Sequence, residues 1–325
     1  MENMNGSFAA DPQHGIFALG TIAHYFLEFD VRKDATLSEI VGKLAQLRQP
    51  AVAAGGVNLV LAFGSQLWRQ IAPTHIPVSL QPFSEIAGPD GHRAPSTQHD
   101  FWLWISGSST DVVFEHVRAA TLVLKDVMAL AEERACFVHR DSRDLTGFID
   151  GTANPPTLGA PAIALVPAGQ PGAGGSHVLA MRWVHNLDAF DALPLHEQER
   201  VFGRSRPDSR ELQGVDKPPT AHIARVQIDD MDGRELQIYR RSVPYGTVAE
   251  PGLYFVAFSQ DPARFHRMLA RMFGTSGDGL HDHLTDFSKP VSGAFYFAPS
   301  LTLLAQLANQ VAATASEQLA GAGLA

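Results

Sequence analysis

Apolar residues recur along this chain with two different periods, and the way these alternate predicts an order of elements. Strand-like runs are "GIFALGTIAHYFLEFDV" at 15–31, "GVNLVLAFG" at 56–64, "HDFWLWISG" at 99–107 and "ACFVHRD" at 135–141. Between them, "ATLSEIVGKLAQLRQP" has helical spacing and ends at Pro50, and "STDVVFEHVRAATLVLKDVMALAEE" at 109–133 has a helical period behind a Ser/Thr/Asp start. The order is β-α-β-β-α-β, the ferredoxin-like arrangement. Past the Pro/Gly-rich "LVPAGQPGAGG" at 165–175 it returns with one strand more: "HVLAMRWVHN" strand, "LPLHEQERVFG" helix, "HIARVQI", "ELQIYRRSV" and "GLYFVAFS" strands, "DPARFHRMLARMFG" helix, "GAFYFAP" strand. The run "FWLWISGSSTDVVFEHVRAATLVL" is echoed by "LYFVAFSQDPARFHRMLARMF", each an aromatic strand, a polar cap and a helix. The expectation is an α+β protein of two related ferredoxin-like halves, with antiparallel sheets packed together. The N-terminal half is placed at 16–160 and the C-terminal half at 161–310, between a disordered N-terminal tail at 1–15 and a frayed C-terminal tail at 311–325.

Composition narrows the partners. A net charge of −9 without clustered Lys and Arg argues against a nucleic-acid binder. The single cysteine, Cys136, rules out an intrachain disulfide and a cysteine-built zinc or iron–sulfur site. Neither a basic leader followed by an apolar run at "MENMNGSFAADPQHG" nor a stretch of 18 apolar residues is found, so the expectation is a soluble cytoplasmic protein without a membrane partner.

Three polar residues stand where apolar neighbours predict an interior. In "LTGFIDGTANPP" at 145–156, Phe148 and Ile149 pull a glycine-flanked turn inward and carry Asp150 with it, whereas a plain surface turn would explain the glycines but not the "FI" pair. Read as a strand, "TAHIARVQI" puts His222 on the face of Ala224, Val226 and Ile228; a satisfied core histidine is the alternative to a ligand. In "ELQIYRRSVPYG", Arg240 shares a face with Leu236, Ile238 and Ser242, and a buried guanidinium needs an anion. A structural pair with a neighbouring carboxylate would also satisfy it.

With these residues in this order, the chain from about residue 16 to about 310 resembles the dye-decolorizing peroxidases, and within them the compact bacterial branch: haem enzymes built from two ferredoxin-like halves, of the dimeric α+β barrel type. The resemblance implies one haem b per chain, held in the C-terminal half, and reduction of hydrogen peroxide by way of a ferryl intermediate while dyes, phenols or similar small donors are oxidised. His222 matches the proximal iron ligand, and Asp286 in "LTDFSKPVSG" the carboxylate that accepts from its other ring nitrogen. Asp150 and Arg240 match the distal pair, a proton carrier and a cation that stabilises charge on the breaking O–O bond. Arg204 and Arg206 in "VFGRSRPDS" match a basic segment beside the haem propionates, and Ser242 stands where some relatives carry Asn. A base of aspartate type implies turnover favoured at acidic pH.

The resemblance further implies a homo-oligomer. In some relatives a tail like "AATASEQLAGAGLA" admits the enzyme to a protein nanocompartment, although no hydrophobic docking motif stands out here. Surface aromatics that could pass electrons from bulky donors are Trp102, Trp104, Trp183, Tyr239 and Tyr245, each of which core packing also explains. The "HDH" at 281–283 is compatible with a metal cluster, but its flanking glycine predicts a loop, in which i and i+2 residues need not face one way. Two rival readings are a non-catalytic haem-binding or haem-handling protein of the same fold, which has no need of both Asp150 and Arg240, and a cofactor-free sensor module in which these groups merely pair.

Overall fold

The computed structural model describes residues 10–47 and 56–322. Its strands are β1 (Ala23–Val31), β2 (Asn58–Phe63), β3 (Ile86–Ala87), β4 (Arg93–Ala94), β5 (Phe101–Gly107), β6 (Met128–Phe137), β7 (Ser176–His185), β8 (Tyr239–Arg240), β9 (Val243–Gly246), β10 (Pro251–Ser259), β11 (Ser288–Pro290) and β12 (Ala294–Ala298). The α-helices are α1 (Leu37–Leu44), α2 (Ser65–Ile71), α3 (Thr110–Leu124), α4 (Ala160–Ala164), α5 (Leu187–Asp191), α6 (Leu195–Phe202), α7 (His222–Val226), α8 (Ala263–Met272) and α9 (Leu301–Ala322).

Apart from the small β3–β4 ribbon, the strands form one 10-stranded sheet in the order β11-β7-β12-β2-β5-β1-β6-β9-β10-β8. A further pairing of β10 with β7, from Gly252↔Val184 to Ser259↔His177, bends that sheet into an eight-stranded closed antiparallel barrel, with β8 and β11 as extensions. The N-terminal strands lie in the order β2-β5-β1-β6, and the C-terminal ones in the order β12-β7-β10-β9. The two sets meet at two seams, Phe297↔Phe63 and Cys136↔Tyr245.

Period-2 alternation explains how one strand serves two cores. On β1, Phe26 and Glu28 face the barrel interior, while Leu27 and Phe29 face the layer of α1, α2, α3 and α9. The interior is aromatic, with Trp102, Trp104, Tyr254, Tyr296 and Phe258 packed around a buried carboxylate. Glu28 accepts from the Tyr254 hydroxyl at 3.1 Å and the Tyr296 hydroxyl at 2.5 Å, and the Trp102 indole N–H donates to the Tyr254 oxygen at 3.0 Å. A third core fills the space between the outer face of β7, β10 and β12 and helix α8.

Four expectations need correction. Helix α3 stops at Leu124, and "MALAEERACF" is strand β6: its Ala- and Glu-rich composition favours helix, but pairing along β1 overrides that preference. The supposed strand "HIARVQI" contains helix α7 instead. Residues 10–15 are not a disordered tail, because Gln13 is buried and its amide satisfies the Leu61 N–H and C=O and the Pro299 C=O beside the β2–β12 seam. Helix α9 continues to Ala322, so residues 311–322 are helical, as their alanine content favours. Pro50 and residues 1–9 and 323–325 lie outside the described residues.

Candidate active site

The stretch around Asp150 is a tight hairpin. Arg143 and Ile149 form a bridge, Gly147 N–H donates to Asp144 C=O, and Gly147 sits at φ 88°, a left-handed conformation that glycine adopts without strain. A Cβ at Gly147 would also collide with the Arg206 guanidinium. Phe148 anchors the hairpin by stacking on Phe202 at 4.0 Å within a cluster that includes Phe190 and Val201. Asp150 is thereby delivered to a cavity wall, where its Oδ1 accepts Gly151 N–H at 2.6 Å. Burial pushes the Asp150 carboxyl above the usual aspartate range, with the Asp144 charge adding to the rise, while Arg240, Gly151 N–H and His222 act against it.

His222 begins the one-turn helix α7. The residues of this segment that line the cavity are His222, Ile223, Val226 and Gln227, the i, i+1, i+4, i+5 pattern of one helical face. Five residues are too few for period 2 and period 3.6 to be told apart, which is why the strand reading failed. Arg225, on the other side, is buried and donates to Arg271 C=O, Leu280 C=O and both Asp278 oxygens, while Arg271 donates to the Ala224 and Arg225 carbonyls. Each guanidinium thus caps the other helix's C-terminal carbonyls and fixes α7 on α8.

The carboxylate beside His222 is Asp282, not Asp286. His222 Nδ1 lies 2.6 Å from Asp282 Oδ2, whose side chain is fully buried and whose Oδ1 accepts Leu284 N–H at 2.9 Å. Asp286, four residues on, points to His92, His281 and His283 instead. With Nδ1 tied to Asp282, His222 Nε2 is the ring nitrogen left for the cavity.

Arg240 also lines the cavity, from β8. Its backbone is clamped by Asn154: the Asn154 amide donates to Arg240 C=O at 2.8 Å and its Oδ1 accepts Arg240 N–H at 2.9 Å, tying the Asp150 turn to β8. Among the described residues, the buried Arg240 Nε has no hydrogen-bond partner. Arg204 is on the same wall, held by Ser209 C=O at 2.7 Å. Burial pulls its guanidinium down, and the charge of Arg240 contributes to that. Arg206 and Ser242 do not line the cavity. Arg206 donates to Gln198 Oε1 and braces the Gly147 turn. Ser242 accepts Val256 N–H at 3.4 Å, because the strand breaks between Arg240 and Val243 and ends the shared face that alternation predicts.

A buried relay that sequence reasoning missed completes the wall. Ser288 Oγ lies 2.7 Å from His185 Nδ1, and His185 Nε2 lies 3.0 Å from Asp144 Oδ1. Burial alone would raise Asp144, but His185 and the Thr146 hydroxyl and N–H outweigh it and hold the carboxyl at about 2. None of the five candidate electron-transfer aromatics is a surface residue: Trp102, Trp104, Tyr239 and Tyr245 belong to the barrel core, and Trp183 is buried in the cavity wall.

The cavity fits the haem that the resemblance implies. Its open space, mouth included, is about 1400 Å³, and its body is apolar, built from Leu179, Met181, Leu253, Phe255, Met268 and Leu269. An imidazole nitrogen not engaged by Asp282, a buried guanidinium Nε without a partner among the described residues and a second arginine are the polar groups that suit an iron macrocycle with anionic side arms.

Comparison with known proteins agrees. The N-terminal Dyp-type peroxidase family model matches residues 13–137, and the C-terminal one residues 141–303. The dye-decolorizing peroxidase of Rhodococcus erythropolis is 33% identical over 292 residues, 87% of this chain and 85% of its own length. A variant of DypB from Rhodococcus jostii RHA1, solved in complex with heme, is 32% identical with a TM-score of 0.80, covering 87% of this chain and 94% of that one. The encapsulated DyP-type peroxidase of Mycobacterium smegmatis is 31% identical with a TM-score of 0.82, covering 91% of this chain and 98% of that one.

Proposed function

The chain belongs to the Dyp-type peroxidase family and is a haem-dependent peroxidase that consumes hydrogen peroxide and a reducing substrate, and we propose that Asp150 and Arg240 activate the peroxide while His222 holds the iron. The observation that carries this reading is the convergence of all three side chains on one apolar cavity. Haem, when bound, supplies the electrons that cleave the peroxide O–O bond. The protein's work is then binding, orientation and proton transfer. Asp150 Oδ1 is occupied by Gly151 N–H, so Oδ2 takes the proton from one peroxide oxygen and returns it to the other, which leaves as water. Arg240, fixed through its backbone by Asn154, offers its free Nε–H to the departing oxygen without reorganisation. Asp282 holds the imidazole orientation and makes Nε2 a stronger donor. Arg204, on the cavity wall, would pair with a propionate.

The matching strand orders support reading each half as a ferredoxin-like repeat, with the haem held by the C-terminal one. Confinement in a protein shell rests on the encapsulated relative, and a cytoplasmic homo-oligomer on family resemblance alone. Among the described residues no helix is long and apolar enough to cross a membrane.

The test is stopped-flow reaction of the haem-loaded protein with peroxide across pH. Asp150→Asn should slow peroxide cleavage by about 10²–10⁴-fold. The base form of Asp150 is the active one, so the wild-type rate should fall as pH drops through a pKa above 3.8, and Arg240→Leu, which removes the opposing charge, should move that limb to higher pH. An Asp150→Asn rate within about threefold of wild type, with the same acid limb, would reject the assignment.

A further inference from the structure

The histidine-rich loop that displaces Asp286 from the haem pocket is itself a constructed site. We propose that His92, His281 and Asp286 bind a late-transition divalent cation of the zinc class, outside the haem cavity. His92 follows the turn between β3 and β4, while His281 and Asp286 flank the loop that carries Asp282, so the ligands come from two segments far apart in the chain. One ligand atom from each can be chosen so that all lie within 4.8 Å of one another.

The distances suit a metal. Zinc bonds of about 2.0–2.1 Å in tetrahedral geometry separate neighbouring donor atoms by about 3.4 Å. Asp286 Oδ1 lies 3.6 Å from His92 Nε2 and 3.4 Å from His281 Nε2, close to that edge and longer than good hydrogen bonds. The His92 and His281 rings stack with centroids 3.9 Å apart, which holds the two imidazoles side by side.

A hydrogen-bond chain fixes the protons. The Thr285 hydroxyl donates to Asp282 C=O at 2.6 Å, so toward His92 Nδ1, at 2.9 Å, it can only accept. His92 Nδ1 therefore donates to Thr285, which leaves Nε2 as the ring nitrogen that faces the Asp286 carboxylate. Thr285 is thus the partner that metal-bound histidines usually carry on the other nitrogen. The remaining oxygen, Asp286 Oδ2, lies 3.5 Å from His283 Nε2. Imidazole and carboxylate donors without thiolate select zinc-like ions over calcium or magnesium.

The test is calorimetric titration of the chelator-treated haem-loaded protein with zinc chloride near pH 7.5, with total metal measured alongside, in wild type, His92→Ala and His281→Ala. One zinc per chain should bind in wild type, and each variant should weaken binding by about 100-fold or more while keeping the wild-type circular dichroism. Absorption-edge spectroscopy at zinc in wild type, which needs no variant to fold, should count two imidazoles and at least one carboxylate oxygen. Absence of saturable binding in wild type, binding unchanged in both variants, or a zinc shell with fewer than two imidazoles would each overturn the site. None of these readings depends on peroxide turnover, so failure here and failure of the peroxidase assignment are separable.

Discussion

Asn154 is the residue whose removal tests the distal geometry most directly. Its amide makes both hydrogen bonds available to the Arg240 peptide, at 2.8 and 2.9 Å, and it lies four residues after Asp150. Asn154→Ala breaks both. At roughly 0.5–1.5 kcal/mol for each neutral, part-buried bond the loss is about 1–3 kcal/mol, a fall in melting temperature of about 1.5–4.5 °C for a chain of this size. The kinetic effect should be larger in proportion, because a displacement of about 1 Å in a catalytic group costs up to 10²-fold. The expected result is a loss of at least about tenfold in the second-order rate with peroxide, with haem content and KM for the reducing substrate unchanged. Asn154→Asp keeps an acceptor for Arg240 N–H but loses the donor to its C=O, and should fall between. A normal peroxide rate in Asn154→Ala, whether or not the protein is less stable, would show that the clamp plays no part in holding Arg240 for catalysis.

Two further outcomes follow from buried carboxylates. Asp282→Asn should lower the iron–imidazole stretching frequency in resonance Raman and raise the haem reduction potential, because the His222 Nδ1 proton loses a charged acceptor, whereas Asp286→Asn should change neither; the reverse pattern would restore Asp286 as the partner. Glu28 is raised from 4.5, its burial outweighing the two tyrosine hydroxyls, so the folded protein holds that proton more tightly than the unfolded chain. Its contribution to stability is then fully present below 4.5 and is lost as pH rises through the folded-state value, so Glu28→Gln should flatten that decline and leave the protein more stable at neutral pH in urea unfolding. A variant that keeps the wild-type pH slope would remove Glu28 as its source.

Much of the architecture was legible because strands β1, β2, β5, β7, β10 and β12 are long or aromatic runs bounded by turn residues, signals that act locally. Where local and tertiary preferences disagree, reading failed: β6 has helix-favouring composition and is a strand only because β1 lies beside it. Asp150, His222, Arg240 and Arg204 were found from turn chemistry, apolar neighbours and family resemblance, and they line one cavity. Asp282 was missed because it and Asp286 bracket the same short 3-10 turn, and only the path of the backbone decides which one faces His222. Asn154, Asp144, His185 and Ser288 carry no pattern of their own. Each does its work through a partner at least 41 residues away in sequence.

The two seams of the barrel bear on how this protein can be taken apart. Cut at the boundary between the halves, each piece would present two naked strand edges, β2 and β6 on one, β12 and β9 on the other, each with unsatisfied backbone donors and acceptors. Such edges recruit any strand within reach, including copies of the same piece. Expressed alone, either half should therefore dimerise or precipitate, and mixing the two fragments should recover solubility only by rebuilding both seams at once. The chain carries a two-subunit assembly internally, with covalent linkage in place of a dissociation constant.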